Sequence, residues 1–443
     1  MAVRATKLGI WTLRVVVLVW VSTDMASAQA IRPLANEYVA VYQSSDPAGI
    51  YVYSPGLTRC PNGRLIATCD LGGTRADVLV KSDPGFCRGR IFVSDDRGQT
   101  WHARGGFHFM HARPFVAGDA LYILGHAGDL RVIRSDDWGE TWSAHATLTQ
   151  NQRWHQAPSN VWYARDHVYL VMERNVYSDV KSWSVSVLAP VLMRAPVGAD
   201  LTQRENWTFA EELVFRDAVP MDQPNQFGVP FFEFDPQGDV WTAAGRNMAP
   251  PGWLETNVVQ VTDPQHYWYD PAGRTLHLLM RAHTGGTGYA ALAKVVENED
   301  GSMTTLLEKN PSGRDVAFLP LPGGQMKFHI LYDEPTQLYW LLSSQATDSM
   351  TRSELLPPSR FNLPNNERHR LQLHFSKNLV DWCFAGLVAK TEDPRQARHY
   401  ASMVIDGDDL HILSRSGTEL AHNAHNGDVL SFHTVKNFRS LVY

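Results

Sequence analysis

Cysteine is scarce, long apolar runs are nearly absent, and no surplus of positive charge offsets the acidic residues. The four cysteines, Cys60, Cys69, Cys87 and Cys383, contain no CxxC spacing, which removes the common structural zinc sites. An oxidising compartment would permit one disulfide among the first three, with free buried thiols an equal alternative. The apolar run VVVLVWV (Val15 to Val21) is too short to span a bilayer, and no other stretch approaches the roughly 20 apolar residues a spanning helix needs. Arg4, Lys7 and Arg14 precede that run and ASAQA follows it. This pattern predicts a signal peptide over residues 1–28, cleaved near Ala28, and a secreted or periplasmic protein without a membrane span. Loss of that segment removes three positive charges and one negative, so the formal charge moves from -6 to -8. No basic tract remains to attract nucleic acid.

Helical periodicity is also missing over any length, and no Gly/Ser-rich linker or charge block divides residues 29–443. The expectation is therefore all-β, in a single domain that grows by repetition. Two repeats are present. SDDRGQTW (Ser94 to Trp101) returns as SDDWGETW (Ser135 to Trp142), each after a strand-like run, and SKNLVDW (Ser376 to Trp382) is a shortened third copy. In such a stretch an Asp side chain and a Gly conformation fix a turn while the Trp packs between sheets. A second repeat is a hairpin with a polar turn and a strongly apolar second strand. It occurs as CPNGRLIAT, VAGDALYIL, ARDHVYLVM, DPQGDVWTA, DPAGRTLHLL, DEPTQLYWLL and DGDDLHILS. Recurrence over tens of residues points to four-stranded blades arranged radially, six or seven in number, with seven favoured by the hairpin count.

With these motifs the chain resembles the sialidase-like Asp-box propellers. That resemblance implies that the Asp-box residues Asp96 and Asp137 lie at the outer rim and serve as scaffold, while ligands bind at the central channel. The chain departs from true sialidases at one place. Their first strand opens on an Arg-Ile-Pro motif, whereas VYSPGLTRCPNGRLIATCD has Ser54 just before Pro55 and lacks the arginine of that motif. PNGRLIATCD, WHQAPSNVW, WLETNVV, LLMRAHTGGTGYAALAKV, KFHILYDEPTQLYWLLSS and IDGDDLHILSR look closer to secreted bacterial propellers that include uronate-polysaccharide lyases and rhamnosyl-glucuronate cleaving enzymes.

Channel residues follow from counting. Eight positions beyond the hairpin turn residue stand His126, Arg174, Arg246, Arg281 and Arg415, while the first unit gives Leu71 next to Asp70. The end of a second strand lies beside the start of the first, so Ser54, Arg113, His155, Glu255, Lys327 or His329, and His399 with Tyr400 should share that face. Arginine forks match carboxylate or sulfate oxygens and stay charged, so the ring predicts an anionic ligand. The expected substrate-binding set is Arg174, Arg246, Arg281, Arg415, Glu255 and His399, and the expected catalytic set is His126, His155 and Tyr400. These types suit β-elimination on a uronate, with a His or Tyr base and arginine neutralising the carboxylate. A glycoside hydrolase on the same scaffold, drawing on Asp70, Glu173 and Glu255, is the alternative. A propeller that only binds a glycan or a partner is the third reading. The expected partner is an acidic polysaccharide or oligosaccharide met by a monomer. No metal site and no cofactor are expected, with room left for a structural divalent cation.

Overall fold

Short runs of Val, Ile, Leu, Phe and Tyr, closed by Gly-, Asp- and Asn-containing turns, become antiparallel strands of six four- or five-stranded sheets, beside one small two-stranded pair, Glu308–Lys309 with Asp315–Val316. The computed structural model describes residues 31–220, 229, 249–349, 351, 355–356, 366–393 and 395–443, and Pro33–Tyr443 form one compact unit. Blade 1 consists of Tyr51–Arg59, Leu65–Gly72, Gly89–Ser94 and His102–Phe107. Blade 2 consists of Met110–Ala117, Ala120–Ala127, Asp129–Ser135 and Ala146–Thr147. In blade 3 the innermost position is shared by Trp154–His155 and Trp162–Ala164, followed by His167–Asn175, Leu188–Pro196 and Thr208–Phe209. Blade 4 runs Gly252–Val259, Thr275–His283, Tyr289–Glu297 and Met303–Leu306, and blade 5 runs His329–Asp333, Leu338–Ser344, Arg370–Ser376 and Cys383–Lys390. Blade 6 takes Arg398–Asp406, Asp409–Ser416 and Val429–Val435 from the end of the chain, and its fourth strand, Val39–Gln43, from near the start.

The ring closes where the inner strand of blade 6 meets the inner strand of blade 1. Six blades fill the circle, so the favoured count of seven is corrected to six. Six of the seven hairpin motifs are the inner hairpins of these blades, and the remaining one, DPQGDVWTA, lies outside the described residues.

What holds the blades together is alternation. Along the second strand of blade 2, Leu121 and Ile123 pack toward blade 1, while Tyr122 and Leu124 pack toward blade 3. Equivalent alternation gives one apolar cluster between each pair of neighbours. Each fully buried aliphatic or aromatic side chain contributes on the order of 1.5–3 kcal/mol. Helices are minor, Thr74–Ser82 being the longest described, and none of the described helices is long and apolar enough to cross a membrane. All four cysteines are free, with Cys60 and Cys69 buried as apolar packing.

The Ser-x-Asp-x-Gly-x-Thr-Trp copies fold as closed local networks at the outer strands of blades 1 and 2. Ser94 Oγ donates to Asp96 Oδ1 at 2.8 Å, and Thr100 donates to Asp96 from its backbone at 2.9 Å and its hydroxyl at 2.6 Å. Asp137 repeats these bonds with Ser135 and Thr141. Arg97, Gly98, Trp138 and Gly139 all have positive φ. In the shortened third copy Asn378 replaces the aspartate, accepting from the backbone of Val380 and Asp381.

Candidate functional site

Four inner strands share an irregularity that decides what lines the channel mouth. Pairing between the first two strands slips between Tyr53 and Gly56, Met110 and Arg113, Leu254 and Asn257, and His399 and Ser402. Within each slip one non-glycine residue has positive φ: Ser54 at 52°, His111 at 55°, Glu255 at 59° and Tyr400 at 55°. Such a bulge inserts one residue and re-aims its side chain, at a cost of order 1–3 kcal/mol for a strained non-glycine conformation. Opposite the residue just before each bulge, the second strands present Asp70, His126, Arg281 and Arg415. The mouth is therefore built from two repeated positions per blade.

On one side Tyr400 is surrounded by guanidinium groups. Arg281 donates to its phenol oxygen at 2.6 Å and lies 3.4 Å from Glu255 Oε2. Arg281, Arg368 and Arg415 stand 6.0, 5.5 and 5.4 Å from the Tyr400 ring centre. All three arginines and Glu255 are buried. Burial pushes the Tyr400 phenol up to about 12, and lowers Arg368 to about 9 and Arg415 to about 10. Among the described residues Arg281 pairs with Glu255 and Arg415 has no carboxylate within ion-pair distance, and guanidinium groups clustered in this way favour an anion. His399 is buried, with its Nδ1 2.8 Å from Arg368. Arg415 covers the ring of Tyr53 at 4.0 Å.

The opposite wall is imidazole. His111 Nδ1 and His126 Nε2 are 2.9 Å apart, and His155 lies 5.0 Å from the His111 ring. Burial, and then the neighbouring imidazoles, lower His111 well below the usual range and His126 to about 3, so both are neutral. Tyr53, covered by Arg415, pairs with Asp70 on the neighbouring strand, which links the two walls. Asp70 Oδ2 accepts the His111 backbone N–H at 2.7 Å, fixing that bulge. Burial raises the Asp70 carboxyl to about 7, opposed by that hydrogen bond. Glu173 sits 3.6 Å from His155 and accepts two bonds from Thr256.

The structure thus brings together His126, His155, Tyr400, Arg281, Arg415, Glu255 and His399. Arg174 does not join them. The blade 3 turn residues are Arg165 and Asp166, between Ala164 and His167, and counting from the first of them, as in blades 2 and 6, arrives at Glu173. Arg174 alternates to the other face of the strand and ion-pairs with Glu212. Arg246 lies outside the described residues. Two members of the mouth escaped sequence counting. His111 sits two residues before Arg113, where the bulge shifts register, and Arg368 precedes the third strand of blade 5, outside any inner hairpin. Among the described residues no group of three or more His, Cys, Asp or Glu side chains is arranged to hold a metal ion.

No protein-family model matches the chain, and no curated protein matches its sequence. Solved structures do. A Hadza microbial sialidase, Hz136, superposes with a TM-score of 0.53 at 15% identity, over 91% of this chain and 69% of that one. A protein of unknown function from Dyadobacter fermentans gives 0.50 at 11% identity, over 92% of this chain and all of the other. An α-L-arabinanase from Penicillium chrysogenum gives 0.49 at 11% identity, over 93% of this chain and all of the other. At these identities the first two likenesses establish the fold alone, a β-propeller.

Proposed function

We propose that the protein is a glycoside hydrolase acting on a carboxylate-bearing sugar, with Tyr400 as nucleophile. The observation that carries this reading is Tyr400 held by Arg281 at 2.6 Å, with Glu255 on the same guanidinium and Arg368 and Arg415 around the ring. The arginines take the substrate carboxylate through bidentate bonds. A neutral phenol can approach the anomeric carbon beside that carboxylate without charge repulsion, which a carboxylate nucleophile cannot; tyrosine is an established nucleophile in sialidases. As the phenol oxygen bonds to the anomeric carbon, Glu255 takes its proton and the glycosidic oxygen leaves with a proton from the opposite wall. Asp70, at about 7, is the group suited to give that proton. Water then displaces the tyrosyl oxygen, and the protons return. Because Tyr53 stands two residues before Pro55, where the sialidase motif has arginine, a sugar acid other than sialic acid is the favoured substrate.

The neutral histidine pair, with Tyr400 across the mouth, supports a second reading: β-elimination on a uronate, with imidazole abstracting the proton and the arginines neutralising the carboxylate. The acidic glycan partner is common to both readings. For either, the protein would work after export, with residues 1–28 removed as a signal peptide. One experiment separates them. Purified protein is incubated with uronate- and sialate-containing glycosides and acidic polysaccharides, and both reducing ends and absorbance in the enone band are followed. Reducing sugar without enone, abolished in Tyr400→Phe, supports the hydrolase. Enone formation replaces it with the lyase, and saturable binding without product leaves a glycan-binding propeller.

A further inference from the structure

Residues 325–328 lead into the first strand of blade 5 and bond to groups carried by two other blades. Gln325 O accepts from Arg281 Nε at 2.9 Å. Phe328 O accepts from Asn257 Nδ2 at 3.1 Å, and Asn257 closes the bulge that carries Glu255. Between them Lys327 is 1% exposed, with Nζ donating to Ala401 O at 2.6 Å, Ser402 Oγ at 3.2 Å and Tyr400 O at 3.4 Å. Every hydrogen bond of this ammonium among the described residues goes to the bulge of blade 6. One short stretch thus holds Arg281, the Glu255 bulge and the Tyr400 bulge together.

Lysine is a costly residue for this place. Burial lowers Lys327 to about 7, with Glu255 opposing that shift and Arg113 adding to it. A methionine would fill similar space with no charge to desolvate. What lysine brings is three donors, and they meet three successive residues, Tyr400, Ala401 and Ser402. Tyr400 has a φ of 55°, a conformation that a non-glycine residue keeps only where its surroundings over-determine it. Ser402 carries the tie further, its Oγ donating to Pro55 O at 2.7 Å beside the bulge of blade 1. Arg281, fixed by Gln325 O, then meets the Tyr400 phenol oxygen at 2.6 Å.

We infer that Lys327 is a positioning residue for Tyr400, clamping the bulge of blade 6 so that the phenol oxygen stays on Arg281. With its side chain buried, it touches no substrate. This role rests on the reading of Tyr400 as nucleophile and deepens it. The arginines bind the substrate carboxylate before reaction, whereas Tyr400 forms its bond only as the reaction proceeds. Loss of the clamp should therefore lower kcat and spare KM.

The test uses the full chain with Lys327→Met. Turnover of 4-methylumbelliferyl glucuronide and 4-methylumbelliferyl sialate is measured, and the crystal structure of the variant is determined. On whichever glycoside the parent cleaves, kcat should fall by about 10- to 100-fold, with KM changed by less than about threefold. In the crystal, Tyr400 should leave positive φ or its phenol oxygen should leave Arg281. A Tyr400 that keeps both overturns the inference whatever the rates, and so does a parental kcat. A parent that cleaves neither glycoside counts against the nucleophile alone, because the crystal structure still decides the clamp. If Lys327→Met does not fold, it is combined with Tyr400→Gly, since glycine adopts positive φ freely. Restored folding supports the clamp, and continued unfolding makes Lys327 general scaffold and overturns it.

Discussion

The outer rim and the channel mouth both gather carboxylates, yet they use them in opposite ways. At the rim Asp96 and Asp137 are solvated, and every bond they accept comes from their own turn. At the mouth Glu255, Asp70 and the three arginines are buried and come from four blades, and all but Arg368 stand on the strained bulges or opposite the residue before one. A group satisfied within its own loop does local structural work. One gathered among charged groups from distant parts of the chain retains interaction energy for a ligand.

Substitutions sharpen that contrast, the largest effect coming from Tyr400. Tyr400→Phe and Glu255→Gln should each lower kcat by about 10²- to 10⁴-fold while leaving the thermal midpoint close to the parent's. An unfolded Tyr400→Phe would instead make the mouth part of the scaffold. Next, Arg281→Lys and Arg415→Lys keep the charge and lose the fork, and should weaken binding of acidic glycan by about 1.5 to 3 kcal/mol, as read by calorimetry. Neutral glycans should bind the variants and the parent alike.

A third test uses pH. Asp70 holds its proton more tightly folded, at about 7, than its ordinary value of 3.8. Its contribution to stability is therefore present below about pH 4 and lost as pH rises toward 7. Asp70→Asn removes that loss, so it should melt higher than the parent by a few degrees at about pH 8 and be slower in turnover at neutral pH. A lower melting point at both acidic and alkaline pH would mean that the carboxyl is structurally required. The smallest effect is expected at the rim. Asp96→Ala and Asp137→Ala should lower the melting temperature modestly without altering substrate preference. Thr100 and Thr141 hold both carboxylates down at about 2, so their contribution is present above about pH 4 and fades as pH falls through 2. Lost turnover with an unchanged midpoint would erase the distinction between rim and mouth.

Much of this was legible before any coordinates. Hairpin turns recur because each blade needs one, so Arg281, Arg415 and His126 fell into equivalent positions by counting, and Glu255 and Tyr400 followed from the first strand starting beside the end of the second. Counting failed where local geometry breaks the period. Starting one residue late in a two-residue turn gave Arg174 in place of Glu173, and a one-residue slip in a strand moves a side chain to the opposite face. The bulge at His111 has no composition signature, since its neighbours read as ordinary strand. Arg368 enters from outside the repeated unit, where no internal repeat can predict it.

Blade 6 borrows its fourth strand from the start of the chain, with Val39 opposite Phe432. During synthesis Val39–Gln43 emerges early and waits without a partner until Val429–Val435 appears. Ring closure is thus a late, long-range step that sets folding speed through loop-closure entropy. It also makes the circle a clasp. A protease cut that releases Val39–Gln43 would expose the edge of the last blade and open the interface with blade 1, loosening the very bulges that carry Tyr400 and Ser54.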